Sequence, residues 1–199
     1  MNGAFQAVFL DRDGTIGGSD QIEYPGDFKL FHFTEEVIQT LKFHNISVFS
    51  FTNQPGISRG DACVEDFISE LSAFGFDNVY LCPHHHTESC DCRKPAIGML
   101  KEAASDHNLD LSKCVVIGDR WTDMLAAKSA GCIAILVQTG SGKDSWNQNH
   151  TTSSIQPDHV AATLKEGVKW LFANNHRSRK KKKRSFLKEI LSHPFLKRK

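Results

Sequence analysis

Two carboxylates one residue apart, Asp11 and Asp13, follow a short apolar segment and precede a glycine. Residues 7–10 are apolar at every position, which predicts a strand buried on both faces, and open α/β sheets place ligands at the ends of such strands. Because paired like charges repel unless a cation or a proton lies between them, we expect a bound Mg²⁺, which prefers hard oxygen ligands and usually also holds a substrate phosphate. Taken alone, Asp-x-Asp-Gly is equally compatible with a polar turn.

Three further predicted strands end in residues that can take part in the same chemistry. The strand at 46–51 is followed by Thr52, Asn53 and Gln54. The strand at 79–81 is followed by a cysteine-rich loop and then by Arg93 and Lys94, and the strand at 114–118 is followed by Asp119. In a parallel sheet such strand ends converge on one edge. Three acids, a cation and hydroxyl or amide donors at one edge form a consistent set for phosphoryl transfer.

Helical periodicity alternates with these strands. The predicted helices are Thr34 to about 44, 61–74, 96–107, 122–130 and Asp158 to about 174, with Thr34 and Asp158 as N-caps, and a fifth strand covers 133–137. Residues 17–33 and 138–158 contain turn signals, which predict loops. The alternation predicts an α/β fold, a Rossmann-like parallel sheet with helices on both faces, without an insertion large enough for a cap domain.

The ordered motifs resemble those of the haloacid dehalogenase-like phosphatases. They are Asp11-Arg12-Asp13-Gly14-Thr15, Thr52-Asn53-Gln54, Lys94-Pro95, and Gly118-Asp119 with Asp123 four residues later. The resemblance spans about residues 5–137. It implies a haloacid dehalogenase-like fold and a Mg²⁺-dependent phosphomonoesterase that forms an aspartyl-phosphate intermediate.

The resemblance also implies a role for each acidic motif residue. Asp11 is the nucleophile, and Asp13 protonates the leaving alkoxide and then activates water. Mg²⁺ is held by the Asp11 carboxylate, the main-chain carbonyl of Asp13, and Asp119. Asp123 lies in the first turn of a predicted helix, where the helix dipole favours an acid regardless of chemistry, so we expect a structural role in preference to direct ligation.

The groups around the transferring phosphate are implied in the same way. Thr52 and Asn53 donate hydrogen bonds to the transferring group, and Lys94 neutralises its charge. Because guanidinium groups bind phosphate with two parallel hydrogen bonds, arginines near these motifs are further candidates for substrate contacts. The additional residues expected to bind substrate are Gln54, Arg59, Arg93 and Arg120.

Four soft or borderline metal ligands lie within 11 residues, in the patterns Cys82-x-His84 and Cys90-x-Cys92. They predict a closed tetrahedral Zn²⁺ site that gives shape to a loop with little apolar content; the alternative is a set of free thiols with incidental histidines. Chemistry alone does not distinguish among the histidines at 84–86, whereas Cys-x-His followed by Cys-x-Cys-Arg-Lys-Pro resembles the heptose bisphosphate and histidinol-phosphate phosphatases and implies His84. The remaining cysteines are expected in the core: Cys63, Cys114 and Cys132.

The loop at 52–60 is similar to that of the heptose bisphosphate phosphatases, in which an arginine at the place of Arg59 can meet a substrate phosphate. The compact metal loop is closer in length to that of the histidinol-phosphate enzymes. Gly17 stands where an asparagine commonly follows the first motif, and Gln138 stands where an arginine commonly precedes Thr-Gly, which removes a contact to a second phosphate.

We therefore expect a phosphatase for a small phosphorylated metabolite, foremost a heptose bisphosphate. Histidinol phosphate or another small metabolite is the alternative substrate. From a different class, a zinc-stabilised binding module that recruits partners through a basic tail is the other candidate, although such a module would not need the full set of acids together with Lys94.

Charge is distributed unevenly along the chain. The 199 residues predict one catalytic domain over 1–175 and a basic tail over 176–199. The tail carries 11 Lys or Arg and one Glu, whereas the rest carries 13 basic and 22 acidic residues, which argues against a catalytic domain that grips nucleic acid. The tail is compatible with attraction to an anionic membrane surface or nucleic acid, or with a disordered solubilising segment. No stretch approaches the ~18 apolar residues of a membrane span, so we expect a cytoplasmic protein, and we expect a monomer.

Overall fold

A parallel β-sheet forms the centre of the molecule. The computed structural model describes residues 5–19 and 22–174. Its six strands are β1 (Ala7–Leu10), β2 (Ser47–Asn53), β3 (Asn78–Cys82), β4 (Cys114–Gly118), β5 (Ile133–Val137) and β6 (His159–Ala161). They are hydrogen-bonded in the order β3-β2-β1-β4-β5-β6, and every neighbouring pair is parallel. The predicted α/β fold with a parallel, Rossmann-like sheet is confirmed.

Helices connect the strands. They are α1 (Thr34–Phe43), α2 (Val64–Ala73), α3 (Gly98–Asp106), α4 (Trp121–Ser129) and α5 (Gly142–Asn149), and a helix that begins at 164 and reaches 174, the last described residue. The chain divides into two units after residue 167, and residues 168–174, the described part of the second unit, are the end of that last helix. The segments between the strands hold no large cap domain within the described ranges.

The strand order brings the predicted motifs to one place. β1 lies between β2 and β4, and Leu10 is in register with Ser50 and Ile117. Because the chain order reverses between β1 and β4, a crevice opens beyond their carboxyl ends, where open α/β sheets bind ligands. All four residues of β1 are buried, and its Phe9 ring packs against Phe49 with the ring centroids 5.4 Å apart. This packing gives the residues that follow β1 a rigid base.

Two predicted N-caps are wrong. Thr34 is the first helical residue and Phe33 the N-cap, since the Thr34 hydroxyl donates a 2.7 Å hydrogen bond to the Ile16 carbonyl of the preceding loop instead. Asp158 precedes β6 rather than a helix. Its carboxylate accepts hydrogen bonds from the Ala134 main-chain amide and from the Lys128 ammonium, both about 2.8–2.9 Å long, so it anchors the entry into an edge strand.

The predicted loop at 138–158 contains α5. This helix reads Gly-Lys-Asp-Ser-Trp-Asn-Gln-Asn and therefore has no apolar stripe that could have revealed it. The predicted loop at 17–33 is confirmed as irregular over its described residues, apart from isolated bridges of Gly17 with Asp13 and Leu30.

Several expectations fall outside what the structure describes. The basic tail at 176–199 lies beyond the described residues, so its interpretation stays a prediction. In the described ranges, every helix is too short or too polar to cross a bilayer. The cytoplasmic location and the monomeric state likewise stay predictions.

Candidate active site

A cleft of about 820 Å³ opens at the carboxyl edge of the sheet. Every residue that the sequence predicted for catalysis, substrate binding or magnesium lines it: Asp11, Asp13, Thr52, Asn53, Gln54, Arg59, Arg93, Lys94, Asp119 and Arg120. Although the loops that carry them are far apart in sequence, these side chains thus face one space. The cleft is open to solvent and large enough for a small phosphorylated metabolite.

Lys94 forms the electrostatic centre of the cleft. Its ammonium lies 2.9 Å from Asp11 Oδ1 and 2.6 Å from Asp123 Oδ1, and it donates a 2.6 Å hydrogen bond to the Phe51 carbonyl. The residue is only 4% exposed. Burial opposes its charge, but the two carboxylates prevail and raise the pKa of Lys94. Lys94 is therefore a fixed cation beside Asp11.

Asp123 is the second acidic partner of Lys94. It is fully buried at the third residue of α4, where its Oδ2 accepts a 3.0 Å hydrogen bond from the main-chain amide of Arg120, the N-cap residue. Burial raises the pKa of Asp123 to about 6, while Lys94 acts against that shift. The helix-start position expected for Asp123 is thus observed, together with an ion pair that the sequence did not indicate.

Asp13 is held from two sides. Its Oδ1 accepts a 2.6 Å hydrogen bond from Arg12 Nη1, and its Oδ2 accepts a 2.7 Å hydrogen bond from Gln54 Nε2. The same Gln54 nitrogen donates to Thr52 Oγ1 at 2.9 Å. Burial in the cleft raises the pKa of Asp13 despite the nearby guanidinium. A carboxyl group at the mouth of a cleft, held by two hydrogen-bond donors, is suited to exchange a proton with a bound ligand.

The surroundings of the Asp119 carboxylate show whether a hard cation fits in the cleft. Donor atoms of Asp11, Asp119 and Asp123 all lie within 4.8 Å of one another. Asp119 Oδ2 accepts a 2.7 Å hydrogen bond from the Ser141 amide, whereas its buried Oδ1 accepts none from the described residues. Burial, and then repulsion from the other two acids, raises the pKa of Asp119 to about 8. An unsatisfied buried oxygen among crowded carboxylates is what a Mg²⁺ ligand set presents before the ion binds.

Gly14 is required by this crowding. Its φ of +77° is unfavourable for any residue with a side chain, and a Cβ would overlap Asp119 Oδ2 and approach the Gly140 Cα to 2.9 Å. The glycine of the first motif therefore allows the Asp119 carboxylate to lie against the main chain that follows Asp13.

Asn53 interacts with the main chain of Lys94. Its Oδ1 accepts a 3.0 Å hydrogen bond from the Lys94 amide, and its Nδ2 donates a 3.3 Å hydrogen bond to the Lys94 carbonyl. An amide nitrogen carries two hydrogens, so one remains for a ligand. In this structure Asn53 joins the end of β2 to the segment that delivers Lys94.

The three predicted arginines differ in their surroundings. Arg59 lies at the rim, where it donates to Asp61 Oδ2 at 2.9 Å and to the Tyr24 hydroxyl at 3.1 Å. Arg93 donates a 3.1 Å hydrogen bond to the His84 carbonyl. Arg120 lines the cleft at the start of α4. All three guanidinium groups thus border the space in front of Lys94.

The predicted metal ligands form a compact cluster next to the cleft. Cys82 Sγ lies 3.5 Å from His84 Nδ1 and 3.7 Å from Cys90 Sγ, and His84 Nδ1 lies 3.2 Å from Cys92 Sγ. Tetrahedral zinc with ordinary bond lengths separates two sulfur ligands by about 3.8 Å and a sulfur from a nitrogen by about 3.6 Å. The observed separations are close to these values, so the donor set fits a four-coordinate zinc ion.

The neighbouring histidines are turned to other contacts. The ring of His85 contacts that of His86, with centroids 3.9 Å apart and the planes tilted by 47°, and its Nδ1 contacts the Thr87 hydroxyl at 2.9 Å. Of the three histidines, His84 is thus the one in the thiol cluster. Cys114 and Cys132 are buried as predicted, whereas the prediction for Cys63 is wrong, because it is exposed at the N-cap of α2.

One wall of the cleft was missed from the sequence. It consists of α5 residues, Asp144, Ser145, Gln148 and Asn149, whose side chains line the cleft. The Ser141 amide that contacts Asp119 belongs to the N-cap residue of the same helix. Because α5 is polar along its length, only the turn residues of this segment gave a signal, and they indicated a loop.

Gly17 has a packing explanation. A Cβ at Gly17 would overlap the Lys29 carbonyl oxygen and lie 2.9 Å from both the Leu30 Cα and the Phe28 ring. The Phe28 ring in turn lies 3.6 Å from the guanidinium carbon of Arg12. The absence of a side chain at position 17 therefore allows the segment 28–30 to cover Arg12.

Known proteins resemble this chain over most of its length. Residues 91–167 match the HAD-hydrolase-like family. A protein of Vibrio cholerae named D-glycero-beta-D-manno-heptose-1,7-bisphosphate 7-phosphatase is 38% identical over 172 residues, which cover 77% of this chain and 91% of that protein. A D-glycero-D-manno-heptose-1,7-bisphosphate 7-phosphatase of Thermosynechococcus vestitus is 33% identical over 186 residues, or 83% of this chain and 94% of that protein.

A solved structure shows the same arrangement of elements. It is the D,D-heptose 1,7-bisphosphate phosphatase of B. bronchiseptica complexed with magnesium and phosphate, which superimposes with a TM-score of 0.74 at 27% identity. The match covers 85% of this chain and 99% of that one.

Proposed function

The chain belongs to the haloacid dehalogenase-like phosphatases, and we propose that within this family it removes the 7-phosphate of a D-glycero-D-manno-heptose 1,7-bisphosphate. The observation that carries the proposal is the cation of Lys94, buried 2.9 Å from Asp11 in a cleft that also contains Asp13 and Asp119. The choice of a sugar bisphosphate as substrate rests on the names of the relatives, which are heptose-1,7-bisphosphate 7-phosphatases. Because these relatives are phosphatases, the comparisons favour an enzyme over the non-catalytic binding module.

Asp11 acts as the nucleophile. Its Oδ1 accepts the Arg12 amide hydrogen at 2.8 Å and pairs with Lys94, which leaves Oδ2 for in-line attack on phosphorus. A bond from Oδ2 to phosphorus forms while the bond from phosphorus to the sugar oxygen breaks, giving an aspartyl-phosphate. The Lys94 ammonium, held also by Asp123, offsets the charge on the transferring group, to which Thr52 and the second Nδ2 hydrogen of Asn53 donate.

Asp13 moves the proton. In the first step it gives its proton to the departing sugar oxygen, and in the second it takes a proton from the water that attacks the aspartyl-phosphate. Its two oxygens each accept one hydrogen bond, from Arg12 and Gln54, and each keeps a position for the substrate or water. Burial raises the pKa of Asp13, in the direction that favours the protonated form used in the first step.

Metal ions complete the site. Mg²⁺ would be held by Asp11, the Asp13 carbonyl and Asp119, and when bound it screens the negative nucleophile from the negative phosphate. Zn²⁺ would be held by Cys82, His84, Cys90 and Cys92 in a structural role.

Arg59, Arg93 and Arg120 line the cleft, which supports them as the groups that receive the second phosphate of a bisphosphate. Arg59 is exposed, and its guanidinium pairs with Asp61 at 2.9 Å. Replacement by Met should raise KM for heptose 1,7-bisphosphate about 10-fold, since a charge-assisted contact to phosphate is lost, while KM for heptose 7-phosphate should not change. Arg59→Lys keeps the charge without the fork and should give an intermediate value. Equal KM changes for both substrates would contradict contact with the second phosphate.

The substrate is tested by measuring phosphate release from both heptose 1,7-bisphosphate anomers, histidinol phosphate and other sugar phosphates, with and without Mg²⁺. We expect Mg²⁺-dependent turnover with a kcat/KM for one heptose bisphosphate at least about 10-fold above the other compounds. A preference for histidinol phosphate would instead assign the alternative substrate. Weak and even turnover would mean that the substrate lies outside the panel.

A further inference from the structure

Arg12, between the two acids of the first motif, is a charged residue with no exposed surface. Its guanidinium carbon lies 3.6 Å from the centroid of the Phe28 ring and 5.1 Å from that of Phe67. Burying a charge costs free energy unless ion pairs and hydrogen bonds compensate for it. The hydrogen-bond partners of Arg12 therefore indicate the role of this buried charge.

The guanidinium connects three parts of the cleft. Nε and Nη2 donate to Glu70 Oε1 on α2 at 3.0 and 2.8 Å, and Nη1 donates to Asp13 Oδ1 at 2.6 Å and to the Glu23 carbonyl at 2.9 Å. Glu70 Oε2 in turn accepts the Gly26 amide hydrogen at 3.1 Å. One buried ion pair thus binds a helix, two points of the loop that contains Tyr24, and the side chain of Asp13.

That loop forms part of the cleft wall. Glu23 and Tyr24 line the cleft, and the Tyr24 hydroxyl donates to Asp61 at 2.8 Å. The same ion pair therefore acts on the wall that faces the substrate and on the carboxyl group that exchanges a proton with it.

We propose that Arg12 and Glu70 are positioning residues, whose buried ion pair sets the direction of the Asp13 carboxyl group and couples it to the loop that lines the cleft. This rests on the proton-transfer role of Asp13 in the proposed function. Glu70 engages two of the three guanidinium nitrogens, so it keeps the third directed at Asp13. Glu70→Gln removes the charge and leaves one side-chain oxygen, so either the guanidinium or the Gly26 amide loses its acceptor.

A comparison of leaving groups distinguishes positioning from a general structural role. An alkyl phosphate such as a sugar phosphate needs a proton on its departing oxygen, whereas p-nitrophenyl phosphate releases a stable anion without one. Because kcat/KM reports on steps up to the first irreversible one, it contains the departure of the leaving group. Loss of a well-directed proton donor should therefore lower kcat/KM only for the sugar phosphate.

The experiment measures kcat/KM for both substrates in Glu70→Gln, with thermal unfolding as a check on folding. We expect a fall of about 10- to 100-fold for the sugar phosphate and less than about 3-fold for p-nitrophenyl phosphate. Arg12→Lys, which keeps the charge but loses the fork, is the second variant and should show the same selectivity. Glu65→Gln makes the same charge change at an exposed position of α2 and should alter neither value.

Asp13→Asn separates the two levels of the proposal. If Asp13→Asn shows the selective loss and Glu70→Gln and Arg12→Lys do not, the positioning role is wrong while the proton donor stands. An equal loss for both substrates in those two variants would likewise assign the ion pair to structure alone. If Asp13→Asn itself lacks selectivity, the proton-transfer role in the proposed function is wrong, and the inference about Arg12 and Glu70 fails with it.

Discussion

Asp11→Asn should reduce turnover of every phosphate ester by at least about 1,000-fold, because an amide cannot form the covalent intermediate. The fold should be retained. Lys94 keeps its partner Asp123, and the variant removes one of three carboxylates whose donor atoms lie within 4.8 Å. In the absence of Mg²⁺ the unfolding temperature should therefore stay the same or rise, since repulsion within the cluster decreases.

Acid quenching of the enzyme during turnover should trap phosphate on the wild type and none on the variant. Asp11→Ala provides a second variant that cannot revert to aspartate by deamidation. Asp66→Asn, an exposed charge change on α2, should have full activity. Residual activity above about one tenth of the wild type in Asp11→Ala would mean that another group attacks phosphorus.

The double substitution Cys90→Ser and Cys92→Ser should remove zinc and lower the unfolding temperature by about 10 °C or more, because metal binding contributes directly to folding free energy. Turnover should also fall at least about 10-fold. Only Arg93 separates Cys92 from Lys94, and its guanidinium donates to the His84 carbonyl. Loosening the metal loop therefore displaces the cation beside Asp11.

Elemental analysis of purified protein checks this prediction, with about one zinc per wild-type chain expected. Cys63→Ser is the matched control, since it removes an exposed thiol outside the cluster and should leave zinc content and unfolding temperature unchanged. A folded, active wild type without zinc would refute the assignment of the loop.

The sequence was most informative where a buried strand runs into a polar motif. Cys114–Gly118 and Ile133–Val137 were predicted with the observed bounds, because a run of apolar β-formers limited by turn residues leaves few alternatives. Asp11 and Asp119 were placed correctly for the same reason, since each directly follows such a strand and parallel neighbours share an edge.

Contacts between distant segments could not be predicted in this way. The polar helix α5 has no apolar stripe, so its cleft-lining face and the Ser141 amide on Asp119 were missed. Threonine is a common N-cap residue, but the Thr34 hydroxyl instead donates a hydrogen bond to the Ile16 carbonyl. The ion pair between Arg12 and Glu70 spans 58 positions and depends on how α2 packs, which no local pattern records.

The tight fit at Gly17 also constrains how this protein and its relatives can diverge. An asparagine at position 17 and the present course of residues 28–30 exclude each other, because the new Cβ would occupy space held by main-chain atoms of Lys29 and Leu30. Glycine at 17 can be exchanged for asparagine only if the main chain of the 28–30 segment moves before or together with the substitution. Introducing Asn at 17 alone would disturb the cover over Arg12, so position 17 and the segment 28–30 are expected to change together.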